Sequence, residues 1–201
     1  MLISYIEKKG RDKVKITLAD GDRFIISERD WNSFGAKAGE EIDEQLLAKL
    51  YREYMLPKAK MRVLNLLKVR DRSRGELIQR LRMDGYPDGV IRPAIQYAEG
   101  YHYIDDERFA RNYIEYRGTS KSRRELEYEL AAKGINLHDL SESEEGVKLP
   151  EDKTAIRHLI RKRWGEHPAP EAKEKERMMR YLARHGFKGG DILSVYRELG
   201  I

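Results

Sequence analysis

The chain has no cysteine among its 201 residues, which excludes a disulfide framework, a thiolate metal site and a thiol nucleophile. That usage fits a reducing compartment. No apolar run reaches membrane-spanning length, and the first ten residues alternate charge and apolarity instead of forming the apolar core of a signal peptide. A cytoplasmic location with no membrane partner is expected. The histidines, His102, His138, His158, His167 and His185, show none of the spacings that metal-binding helices use. Gly118-Thr119-Ser120-Lys121-Ser122 lacks the paired Gly-Lys of a phosphate loop and reads as a loop ending in a helix cap. Asp105-Asp106-Glu107 suits the acidic first turn of a helix better than an acid/base pair. With no nucleophile, metal or phosphate loop in view, no enzyme, catalytic residue, metal or cofactor is expected. The chain works by binding.

What is present is charge, at 37% of residues, beside a hydrophobic share of 40% that is ample for a core. The net charge of +5 is modest, but it is unevenly placed. Residues 1–56 carry 10 basic and 11 acidic side chains, 57–135 carry 17 and 12, and 136–201 carry 13 and 12. Between Lys58 and Arg82, nine basic residues face only Asp71 and Glu76. Such a cluster suits a polyanion or an acidic protein surface, although a charged face can also be merely solvated.

Residues 1–27 read as strands, with Ile3 and Tyr5 followed by Val14, Ile16 and Leu18 at period two, then an Asp20-Gly21 turn signal, then Phe24, Ile25 and Ile26, which predicts a small β-hairpin. Ile42, Leu46, Leu47, Leu50, Tyr51 and Tyr54 then mark one helical face, with Pro57 predicted to end it. Beyond residue 56 the sequence repeats. Leu77/Leu81/Gly85, Leu126/Leu130/Gly134 and Met178/Leu182/Gly186 recur at offsets of 49 and 52 residues. Each copy puts two apolar residues one turn apart ahead of a glycine suited to a left-handed helix cap. Ser73-Arg74-Gly75-Glu76 and Ser122-Arg123-Arg124-Glu125 both read as capping boxes, whereas the third copy starts at Pro170.

The fold class expected is therefore mainly α: three tandem three-helix repeats in an elongated array, preceded by a small N-terminal β-hairpin and helix unit. The expected boundaries are 1–56 for that unit, 57–104, 105–146 (with a shortened third helix) and 147–201, with a flexible joint near 141–152.

Arg70, Arg72 and Arg74 fall where the first helix of repeat one meets the second, and Lys121, Arg123 and Arg124 occupy the same joint in repeat two. With Arg82 and Lys133 they are the candidate partner- and nucleic-acid-binding residues, a positive stripe able to track phosphates or an acidic groove. Tyr101, Tyr103 and Tyr116 could stack on bases, but core packing is the expectation for each. An alternative reading is a helix-turn-helix-like protein acting directly on nucleic acid. Against it, Val90-Ile91-Arg92-Pro93-Ala94-Ile95 offers few polar side chains for base edges.

Three stretches resemble the bacterial regulatory protein RecX family: Arg72-Ser73-Arg74-Gly75-Glu76-Leu77, then Gly100-Tyr101-x-x-Ile104-Asp105-Asp106-Glu107-Arg108-Phe109-Ala110, then Glu129-Leu130-x-x-Lys133-Gly134-Ile135. The resemblance covers residues 57–136 by motif and the third repeat by helical pattern alone. It implies a modulator that binds the RecA recombinase filament and inhibits its ATPase, strand-exchange and coprotease activities in recombination, DNA repair and the SOS response. It implies a monomer without cofactor, for which single- or double-stranded DNA alone is a weaker partner. The sequence departs from the family's pattern in the shortened joint at Gly118 and in the curtailed third helix of repeat two.

Overall fold

The alternating apolar residues of the first 27 positions form an antiparallel sheet of three strands: β1 (Ile3–Lys8), β2 (Lys13–Leu18) and β3 (Arg23–Ser27). The register sets Val14 opposite Ile26 and Ile16 opposite Phe24, so the buried side chains share one face. Gly21, with φ 94°, turns the chain between β2 and β3. The structure is a computed structural model and describes residues 1–141, 146–166 and 168–201.

Helix α1 (Glu28–Phe34) follows, capped by Ser27 and ended by Gly35. Periodicity does not reveal it because only Trp31 of its seven residues is buried. The predicted stop at Pro57 is not there. Helix α2 (Glu44–Leu50) passes through a π-helical turn (Tyr51–Met55) directly into α3 (Leu56–Val69). Proline has no N–H to give and clashes with the preceding turn, but at the start of α3 the wider π turn accommodates it, and the chain stays helical.

Repeat one consists of α3, α4 (Arg74–Met83) and α5 (Asp88–Gly100). One continuous core runs from Ile3 and Phe24 through Leu50 and Met55 to Leu77, Leu81, Ile95 and Ile104. The sheet and the first repeat are therefore one compact unit, Met1–Asp105. β3 closes onto the α4–α5 turn: Ile25 N donates to Gly85 O at 2.8 Å. Gly85 sits at φ 89°, and a Cβ there would lie 2.5 Å from Ile25.

The second unit, Asp106–Ile201, holds repeats two and three. Repeat two is α6 (Asp106–Arg117), α7 (Arg123–Ala132) and the five-residue α8 (Leu137–Ser141). So short a third helix leaves the core of Ala110, Ile114, Leu130 and Ile135 under-covered, and Val147 and Leu149 pack onto it from the segment ahead of the next helix. The flexible joint expected at 141–152 includes 142–145, outside the described residues. Its described part from Val147 onward is packed, because apolar side chains there complete a core. Repeat three is α9 (Asp152–Trp164), α10 (Ala172–Arg184) and α11 (Gly189–Glu198) around Ile156, Ile160, Leu182, Ile192 and Val195. Its α10 starts two residues after the expected Pro170.

Candidate partner and nucleic-acid interface

Both interhelical joints are built on a fully buried serine. Ser73 caps α4 with a closed box: Glu76 N donates to its Oγ at 3.1 Å, and its own N–H donates to Glu76 Oε2 at 3.3 Å. The second predicted box closes on one side only. Ser122 Oγ accepts from Glu125 N at 3.1 Å, but then donates to His185 O at 2.6 Å, tying the joint to the α10–α11 turn. Glu125 turns instead to Lys121 at 2.7 Å and leaves Oε2 buried without a hydrogen bond, 3.5 Å from His185 Nδ1. A lysine one residue before the cap outcompetes a neutral N–H for the carboxylate.

The candidate cations have different fates. In the first joint, Arg70 pairs with Glu76 at 3.3 Å and Arg74 with Glu99 at 2.8 Å. Arg72 is half-buried, with Nε inside and without a hydrogen bond. Arg82 is forked onto Asp88 by two bonds of 3.0 Å, and these bonds raise its pKa. In the second joint Lys121 is only 16% exposed and reaches Glu125 and Glu129 at 2.7 and 2.6 Å. Burial works against its charge, but the two carboxylates win and raise its pKa. Tyr113 donates to the same Glu129 at 2.6 Å, and its own pKa, driven first by burial, is pushed up to about 12. Lys133 lies over the rings of Phe109 and Tyr113, 5.8 and 5.4 Å from their centroids. Arg123 and Arg124 are different again. Both are exposed in the first turn of α7, and neither side chain has an ion-pair partner among the described residues.

The tyrosines overturn the expectation of core packing: Tyr101, Tyr103 and Tyr116 are 60, 49 and 79% exposed. Tyr101 and Tyr103 lie at the end of α5, where His102 N donates to Glu99 O and Tyr103 N to Ala98 O. These are the two bonds of the helix-ending motif that Gly85, Gly134 and Gly186 make in their turns. Here the left-handed seat holds His102, at φ 55°. In the Gly134 and Gly186 turns the next residue, Ile135 or Phe187, is buried, whereas Tyr103 faces out and stacks on Tyr101. Periodicity could not show this, because the residues beyond a helix cap no longer follow its face.

A further basic feature, in repeat three, is absent from the candidate set. Lys162, Arg163 and Arg177 rim a groove of about 560 Å³ floored by Leu159, Trp164 and Met178. The run Arg161-Lys162-Arg163-Trp164 was its visible signal. Among the described residues, no group of three or more His, Cys, Asp or Glu gathers as for a metal ion, and no helix is long and apolar enough to cross a membrane.

Comparison with known proteins agrees with this architecture. The family models for the first, second and third three-helix domains of RecX match residues 59–97, 105–141 and 151–195. The regulatory protein RecX of Clostridium tetani is 25% identical over 202 residues, covering 98% of this chain and 94% of that protein. The RecX of Chromobacterium violaceum is 31% identical over 136 residues, covering 68% of this chain and 87% of that protein. A crystal structure of regulatory protein RecX has a TM-score of 0.56 at 22% identity, over 99% of this chain and 98% of that one. That of RecX from Lactobacillus salivarius has the same TM-score at 19% identity, over 72% of this chain and 96% of that one. With its three domains matched in order and its whole fold shared, the chain belongs to the RecX family of regulatory proteins.

Proposed function

We propose that this chain binds the RecA recombinase–DNA filament and restrains its ATPase, strand-exchange and coprotease activities, as a cytoplasmic monomer acting by charge and shape without catalysis. The observation that carries this reading is the pair Arg123 and Arg124. They are exposed, have no ion-pair partner among the described residues, and stand on a joint whose third cation is neutralised internally. Two unpaired guanidinium groups on a fixed helix end are poised for charge-assisted bonds to phosphate or carboxylate. Arg70, Arg74 and Arg82 would first have to exchange an intramolecular partner. Arg72 and Lys121 act in this reading by positioning their joints, and Lys133 by holding the end of α7 over Phe109 and Tyr113.

The test is the double variant R123A/R124A. Its far-ultraviolet spectrum should match the parent, while filament binding weakens by about 1 kcal/mol per lost contact and inhibition of the recombinase ATPase falls with it. If phosphates are the target, the slope of log affinity against log salt should shrink by roughly one unit per arginine; an acidic protein surface gives a shallower dependence. Unchanged ATPase inhibition by the folded variant refutes this placement.

A further inference from the structure

We propose that Tyr97, Tyr101 and Tyr103 form a stacking platform for the bases of a single-stranded nucleic acid. The three rings follow one another at centroid distances of 4.9 and 5.9 Å, the second pair lying within 18° of parallel. Tyr101 and Tyr103 are well exposed, and Lys60 Nζ stands 4.3 Å from the centre of the Tyr97 ring. A row of aromatic rings with a cation at one end is what a single strand needs, because every base has a π-face and every linkage a negative charge. Glu99, on the same helix, would repel phosphate, but Arg74 neutralises it at 2.8 Å. Lys60 and Arg74, which reach Tyr97 and Glu99, belong to the most basic part of the sequence, Lys58 to Arg82.

The backbone supports the same assignment. A non-glycine residue in the left-handed region is disfavoured by about 1–2 kcal/mol, yet His102 holds it, and this turn brings Tyr103 onto Tyr101. Tyr101 and Tyr103 leave 60 and 49% of their surface in water, area that contributes nothing to the fold and is open to a base. A duplex is a poorer occupant, since its bases are already stacked on one another and turn only their edges outward.

The inference rests on the reading of the chain as a binder of nucleoprotein, and the two can fail separately. The experiment compares the full chain on an oligothymidylate and on an abasic deoxyribose-phosphate oligomer of the same length, by fluorescence anisotropy of an end label across a salt series. The parent should prefer oligothymidylate by on the order of tenfold. Y101A/Y103A should lose that preference while keeping both its salt slope and its affinity for the abasic strand. Y101F/Y103F, which keeps the rings, should retain the preference. R123A/R124A should do the reverse of the alanine pair, lowering the salt slope and sparing the preference. Equal affinity of the parent for the two oligomers overturns the platform, and so does loss of both in a folded Y101A/Y103A. A variant that binds both strands like the parent yet no longer restrains the recombinase also overturns it, by assigning the tyrosines to a protein contact.

Discussion

The joint between α3 and α4 and the joint between α6 and α7 start from nearly the same sequence pattern and use their cations in opposite ways. In the first, Arg70 and Arg74 are each held by a carboxylate and Arg72 is drawn half inside. In the second, one lysine is shared by two partly buried carboxylates, and Arg123 and Arg124 are left to the solvent. A run of positive residues therefore does not say how much charge a surface offers. That depends on which acids the fold places within reach.

The sharpest break of the comparison is to remove the central cation of each joint. Lys121→Ala leaves Glu125 and Glu129, both partly buried, without their shared partner, and should cost about 2–3 kcal/mol after allowance for solvent screening. Arg70→Ala removes an exposed cation from a Glu76 that keeps its bond from the Ser73 N–H, and should cost about 1 kcal/mol. Denaturant titration can report each unit by itself, because the chain has two tryptophans, Trp31 in the first unit and Trp164 in the second. Equal shifts in the two units would remove the asymmetry.

A smaller effect is expected at the serines. Ser122→Ala removes a cap and the bond to His185 O, and should destabilise the second unit by about 2 kcal/mol. Ser73→Ala removes the cap of α4, and at least about 1 kcal/mol is expected in the first. If Ser122→Ala costs no more than the loss of a cap, about 1 kcal/mol, the link to the α10–α11 turn is not holding the second joint.

Acid should also distinguish the joints. Burial pushes the Glu129 pKa up, but hydrogen bonds from Lys121 and Tyr113 outweigh it and hold the carboxyl below its usual range. A depressed folded value means its stabilisation is present in full above the ordinary glutamate range, near pH 4.3 or so, and is lost as pH falls through the lowered value. Glu129→Gln should flatten that acid limb in the Trp164 transition and leave the Trp31 transition unmoved. The smallest change expected is a gain. His102→Gly relieves a left-handed φ and should stabilise the first unit by about 0.5–1 kcal/mol, net of the added freedom of the unfolded chain.

Much of the fold could be read from spacing, because Leu77, Leu81, Leu126, Leu130 and Leu182 are fully buried where the repeat put them, each ahead of a glycine at positive φ. Helical periodicity reports which face a neighbour must cover, and burial obeys it. Where a neighbour decides, the pattern falls silent. Pro57 stays inside a helical run through a π turn, Val147 is called into the core by a short α8, and Lys121 is captured by acids four and eight residues away. The candidate site was legible as a set of cations but not as a division between paired and unpaired ones. Tyr101, Tyr103 and Tyr116 depart from the expectation because aromatic residues usually signal interior, and for Tyr101 and Tyr103 it is the backbone at His102 that turns them outward.

The bond from Ile25 to the carbonyl of Gly85 has a consequence for the order of synthesis. The sheet leaves the ribosome before the first repeat does, and the outer edge of β3 gains its bond only when the turn at Gly85, 60 residues later by the numbering, has emerged and formed. Until then Phe24, Ile25 and Ile26 stand in an open strand edge able to pair with another nascent chain. Slow translation between the sheet and Gly85 should therefore lower the yield of folded protein more than the same delay anywhere in the second unit.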